Sequence, residues 1–374
     1  MSSRHRFRPQ APLLCAIMAL ALLGSGTTNA ETYGEIRTFR DWIVACDNTR
    51  TCRTFGMPKQ DTMIGVALRI DRGGAADAQP VISIVLDRDT GGTTGLRLSA
   101  SVDGASATEI AVGQSASQDE ETITVTDRAL AERLIADIRR GQSLSVTVHP
   151  AGNQQEPPDP ISLDGAMAAL LWMDEQQGRI GSRDALARPG DGRARPPLPT
   201  EPPRASAERR LPNQRDVARR LEAVRAPVLA AFRALPADTC DEEDNPAIAA
   251  HRLAERLLLV AVRCWSGAYQ SSDLHFLVRE GAVPQVRPAS FPRPRKPSPD
   301  ARPEPYDHAI LTTSDVDAAT GRVAHYAKGR GIGDCGEVAE WQWDGERFRP
   351  VRLDVMPTCR GLTPPNWFSL YRTR

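Results

Sequence analysis

Aromatic side chains are scarce in this 374-residue sequence, at 5%. So few rings leave little material for base-stacking platforms or sugar-binding surfaces. Charge of one sign is lacking too: 47 basic groups face 47 acidic ones. That balance removes the basic footprint expected of a protein that binds nucleic acid. There is no Cys-x-x-Cys, no His-Glu-x-x-His and no complete calcium-loop ligand series, so neither a metal ion nor a cofactor is expected. Beyond the N-terminal region no apolar run reaches about 18 residues, which excludes an internal transmembrane helix. No repeat of fixed period is present.

What is there begins with an export signal over residues 1–30. Arg4, Arg6 and Arg8 form a positive start, residues 11–23 are apolar apart from Pro12, and Thr28 and Ala30 stand at −3 and −1 of a cleavage site. Cys15 lies inside the apolar run and leaves with it. The expectation is a secreted, periplasmic chain with no membrane span once the signal is removed. Cleavage leaves 44 basic against 47 acidic groups, so the mature chain has no excess of positive charge.

Residues 31–186 read as a β-rich domain. Alternating or β-branched stretches at 41–47, 51–56, 63–71, 80–87, 96–102, 122–125 and 143–149 predict strands. Asp127 caps a helix that lines up Leu130, Leu134, Ile135 and Ile138, and a second helix is expected over 162–177. Residues 187–212 contain seven prolines and little that is apolar, and read as an extended linker. The region 213–374 reads as a second, α+β domain. Val217, Leu221, Val224, Val228 and Phe232 recur at helical spacing, and a further helix is expected over 247–256. Strands follow at 257–264, 274–279, 309–313, 322–328, 337–343, 348–356 and 367–372. Residues 288–305 form a second proline-rich piece, read as a surface loop, with Arg293, Arg295 and Lys296 as an alternative docking site for an acidic partner. The fold class expected is therefore α+β and β-rich, with two domains of antiparallel sheet and a few covering helices joined by the proline-rich linker.

Setting Cys15 aside leaves an even set of six cysteines. Local pairing is expected: Cys46–Cys52 across a hairpin, then Cys240–Cys264 and Cys335–Cys359, none of them crossing the linker. Each closed loop would add roughly 2–4 kcal/mol.

Candidate chemistry is sparse. Gly331-Ile-Gly333-Asp334-Cys335-Gly336 matches G-x-G-x-x-G, but a strand pattern follows where the dinucleotide fingerprint needs a helix. His325 and Glu337 are the weak catalytic candidates. Trp341 and Trp343 share a strand face; with Phe348 they line a binding groove or pack a core, and core packing is favoured.

Several stretches together carry a family likeness. Trp42-Ile-Val-Ala-Cys46-Asp-Asn48 with Cys52, Leu171-Trp-Met-Asp-Glu-Gln-Gln-Gly178-Arg, Cys264-Trp-Ser-Gly-Ala-Tyr269, and Gly331 to Gly336 with Trp343-Asp-Gly345 occur in order along the chain. In them the sequence resembles the DUF1176 family, exported bacterial proteins of unknown function. The opening Trp-x-Val-x-Cys stretch is also similar to the invasion-associated locus B family. Neither resemblance implies catalytic residues. The function expected is a non-enzymatic periplasmic binding or envelope-accessory module, whose partner is an envelope protein or a small ligand. The alternative is a periplasmic hydrolase acting on a cell-envelope substrate in an interdomain cleft.

Overall fold

The computed structural model describes residues 34–59, 65–86, 96–119, 121–150, 158–197, 201–236, 238–241, 244–294, 306 and 308–374. The expected export signal lies outside these residues, as do Arg295, Lys296 and most of the second proline-rich piece.

The first half is a layered β structure. Its strands are β1 (Glu35–Phe39), β2 (Trp42–Cys46), β3 (Cys52–Gly56), β4 (Val66–Arg72), β5 (Pro80–Leu86), β6 (Arg97–Val102), β7 (Thr108–Ala111), β8 (Ala116–Asp119) and β9 (Thr122–Val125). Helix α1 (Arg128–Ile138), β10 (Ser143–His149), β11 (Asp159–Ser162) and α2 (Ala166–Gln176) complete it. A seven-stranded antiparallel sheet runs β1-β2-β3-β4-β5-β9-β8, and a four-stranded one runs β11-β10-β6-β7. Alternation gives the large sheet two apolar faces. Trp42, Val44, Val66, Leu68 and Ile70 pack with the smaller sheet and both helices, whereas Ile43, Ala45, Phe55, Ala67 and Val85 join a different core. Asp127 caps α1 by accepting from the Leu130 amide at 2.9 Å. Helix α2 starts at Ala166 instead of 162. Residues up to Ser162 are taken by strand pairing with β10, and Gly165 turns the chain at φ +97°.

The second half opens with α3 (Val217–Arg233), followed by β12 (Ile248–Ala254), β13 (Leu257–Ser266), β14 (Ser271–Arg279), β15 (Gln285–Pro288) and β16 (Ile310–Thr312). Then come β17 (Asp315–Asp317), β18 (Arg322–Lys328), β19 (Gly336–Trp343), β20 (Phe348–Met356) and β21 (Phe368–Arg372). Strands β12 to β16 make one five-stranded sheet and β17 to β21 another, both antiparallel. Helix α3 covers the first through Val224, Val228, Leu229 and Phe232. The stretch expected to be helical at 247–256 is instead β12, paired with β13 from Ile248↔Val262 onward. Its alanines and arginines favour helix locally, but the unsatisfied edge of β13 offers a ladder of backbone hydrogen bonds, and that tertiary gain decides the outcome.

The halves share a core. Ile43, Phe55 and Val85 from the first cluster with Trp341, Trp343, Phe348 and Phe368 from the second, and the Phe55 and Phe368 rings meet edge-on at 5.4 Å. The proline-rich segment lies along this body. Arg209 and Leu211 donate to the Thr320 and Ala318 carbonyls, and Ala205 donates to Arg374. The described residues accordingly form one compact unit.

Candidate functional site

Where the large first-half sheet meets the β17–β21 sheet, a cleft of about 560 Å³ opens. Strand periodicity populates both walls. Arg53 and Asp71 face each other across β3 and β4, on the face that carries Phe55. On the opposite wall the register pairs Glu340 with Arg352 and Arg352 with Arg372. Two arginines directly opposite one another repel, and the fold offsets this with neighbouring acids. Arg352 meets Asp354 at 2.5 Å and Glu340 at 3.7 Å, while Arg372 meets Asp47 at 2.6 Å. Arg322 reaches Glu340 at 3.4 Å, and Arg53 holds Asp71 at 2.7 Å. Burial raises the Asp354 carboxyl above the usual carboxylate range, against the opposing pull of Arg352.

The two signs are layered. The four arginine side chains are 26–44% exposed, while Asp47, Asp71, Glu340 and Asp354 are only 1–24% exposed. A solute entering the cleft therefore meets guanidinium edges first. Each guanidinium has five N–H donors, more than its partner acid occupies.

His325 and Glu337 do come together, on the other face of the β17–β21 sheet and away from the cleft. Their strands place them diagonally on one face, with His325 Nε2 3.5 Å from Glu337 Oε1. Glu337 is also held by Arg293 at 2.5 Å, and the Thr312 amide donates to His325 Nδ1 at 2.9 Å. Both ring nitrogens thus face fixed partners in a largely buried setting, and burial pushes the imidazole down to about 4. The cluster joins the two second-half sheets. Trp341, Trp343 and Phe348 are almost wholly buried in the shared core, with Phe291 packed on Trp341 and Phe348. They form no open aromatic face, because the β12–β16 sheet and the chain around Phe291 cover them.

The bridges present are Cys46–Cys52, Cys240–Cys264 and Cys335–Cys359. Among the described residues, one group has the geometry of metal ligands, namely Asp334, Cys335 and Cys359. Its sulfurs are bonded to each other, and Asp334 accepts from Arg330 and the Gly361 amide. No helix among the described residues is long and apolar enough to cross a membrane.

The family described as "Protein of unknown function (DUF1176)" matches residues 36–374. The chain belongs to the DUF1176 family. The uncharacterized protein YpfG of Escherichia coli (strain K12) is 26% identical over 356 residues, which cover 90% of this chain and 93% of that protein. The crystal structure of invasion-associated protein B from Bartonella henselae aligns with a TM-score of 0.29 at 17% identity, over 38% of this chain and 98% of that one.

The stretches through which this DUF1176 chain resembles its family have clear structural work. Asn48 exchanges two 3.0 Å hydrogen bonds with the Arg372 backbone, clamping β21 to the β2–β3 hairpin. In α2 and the turn after it, Asp174, Gln177 and Arg179 are fully buried. Asp174 accepts from the Leu186 and Ala187 amides, and Gln177 donates to the Arg50, Arg72 and Gly73 carbonyls. The glycines from 329 to 336 wrap a disulfide: a Cβ on Gly329 would lie 2.6 Å from Cys335 Sγ. Nothing in residue order marks the cleft arginines. Charges at alternate strand positions read as ordinary solvated faces until the opposing sheet is in place.

Proposed function

We propose that this DUF1176 protein is an exported, periplasmic, non-enzymatic binding module whose ligand is a small anion bearing carboxylate or phosphate groups. The observation that supports this reading is the layering of the cleft, with Arg322, Arg352 and Arg372 clearly more exposed than the acids that anchor them. Arg352 and Arg322 are the principal contacts, because both are anchored by Glu340 within one sheet and can turn spare N–H groups to a ligand. Arg53 and Arg372 also bind across the halves: Arg53 donates to the Trp367 carbonyl at 2.9 Å and Arg372 to Thr49 Oγ1 at 3.0 Å. Three disulfides suit an oxidising compartment.

The test is calorimetric titration of the mature chain with a panel of di- and tricarboxylates, phosphate esters and neutral analogues. Anions should bind, more weakly as salt is raised. Arg352→Ala should weaken binding by about tenfold or more, the loss of a charge-assisted contact. Selective binding of neutral or cationic compounds, or anion binding indifferent to Arg352→Ala and Arg322→Ala, would overturn the reading.

A further inference from the structure

Two of the family-like stretches meet at one end of the second half, away from the cleft. The end of β13 carries Trp265, the β13–β14 turn carries Tyr269, and the loop between β18 and β19 carries Ile332. These side chains are 40%, 50% and 68% exposed. The two tips are tied together: Gln270 donates to the Lys328 carbonyl at 3.0 Å and accepts from its amide at 2.8 Å. Gly331 lies against the Tyr269 ring, where a Cβ would sit 3.6 Å away. Cys264, next to Trp265, and Cys335, close after Ile332, are both in disulfides. The apolar tips are thus held in place before any partner arrives.

We propose that these paired tips dock the protein on the surface of an anionic lipid bilayer. Two adjacent turns present these apolar side chains to solvent together, which suits shallow insertion. Tryptophan and tyrosine favour the headgroup level of a bilayer, where one end of the ring is apolar and the other wet. The charges beside the tips are complementary to anionic headgroups. Arg330 lies outside its partner Asp334, which is buried, and the Lys328 ammonium stands over the Tyr326 ring at 5.5 Å. Long basic side chains of this kind keep their heads at the interface while their stems lie along apolar surface.

The experiment is co-sedimentation of the mature chain with vesicles of phosphatidylglycerol and phosphatidylethanolamine, with phosphatidylcholine vesicles in parallel. Trp265 is the one exposed tryptophan; Trp42, Trp172, Trp341, Trp343 and Trp367 are buried. A blue shift of emission on the anionic vesicles therefore reports on this patch. The Trp265→Ala/Tyr269→Ala/Ile332→Ser variant should lose at least about tenfold in partitioning, and Lys328→Glu about fivefold or more. Leu171→Ser, at an exposed leucine on α2, should change nothing, and free inorganic phosphate at millimolar concentration should not release the protein. Wild-type protein that ignores anionic vesicles, or a triple variant that partitions normally, would overturn the proposal. Loss of a protein dimer in the triple variant, without any vesicle binding by the wild type, would assign the patch to a second copy and would equally overturn it.

Discussion

Acidification from pH 7 to pH 4 is expected to remove several kcal/mol of stability, through two histidines that the fold keeps neutral. His275 and His325 lie between the two second-half sheets, both almost fully buried. Burial is the main cause that lowers each to about 4 from an ordinary 6.5. For His325 the Arg293 charge lowers it further, and Glu337 pulls the other way. For His275 the Asp273 side raises it, while His251 lowers it. His275 Nδ1 lies 3.1 Å from the Asp273 carbonyl, and its ring meets Phe291 edge-on. The Thr312 amide needs an unprotonated Nδ1 on His325 as acceptor.

The unfolded chain takes up these protons as pH falls through about 6.5, whereas the folded chain resists until about 4. Between those values the unfolded state binds more protons, so stability rises with pH and is lost on acidification. A shift of this size corresponds to about 3 kcal/mol per histidine at full effect. Because the two rings interact, their contributions will not simply add. Urea denaturation at pH 7, 6, 5 and 4 measures the effect. His325→Asn, which keeps an acceptor near Nδ1, and His275→Asn should each flatten the profile in this window. An unchanged slope in both variants would refute the assignment.

The second large effect is expected at Asp174. Its two oxygens accept from the Leu186 and Ala187 amides at 2.9 and 2.8 Å, and Arg72 lies 3.9 Å away. Arg72 also meets Asp184 at 2.6 Å, and Arg179 bonds to the same Asp184 carboxylate. Arg179 further donates to the Ala75 and Ala76 carbonyls, which fastens the β4–β5 turn to the chain after α2. Both guanidinium side chains are fully buried. Asp174→Ala would leave two buried cations with one acid and would strand two amide donors. Breaking such a network by removing one partner costs about 3–5 kcal/mol. Leu171→Ala, on the exposed side of the same helix, should stay within about 0.5 kcal/mol. A cost below about 1 kcal/mol for Asp174→Ala would show that the network contributes little.

These two expectations differ in how far they could be read from residue order. Asp174 and Arg179 sit in a motif whose spacing is visible, yet their partners Arg72 and Asp184 are named only by the packing of β4 against the turn after α2. His325 and Glu337 alternate on neighbouring strand candidates, so a shared face is readable. Arg293, which completes their cluster, arrives from a proline-rich segment that carries no periodic signal. The strand β12 shows the reverse problem. Its residues suit a helix by local preference, and only the open edge of β13 makes the extended form better.

Residue order by itself determined most of the elements, because alternation and turn residues such as Asp344-Gly345 act locally, within a few positions. It also determined the neighbourhoods of Cys46 with Cys52 and of Cys335 with Cys359, since strands joined by a short turn must bring their ends together. Cys240 and Cys264 instead meet through β12, which residue order alone does not mark as a strand. The tertiary structure decided which faces meet. A strand of period two offers two faces with no mark of their partners. Stacking the first-half sheet on β17–β21 is what buries Asp47 and Asp354, half-buries Asp71 and Glu340, leaves the four arginines more exposed than these acids and makes a cleft from segments some 300 positions apart. Burial also turns ordinary histidines into acid-sensitive joints, because the loss of water around a charge is a property of the packed body and not of any one segment.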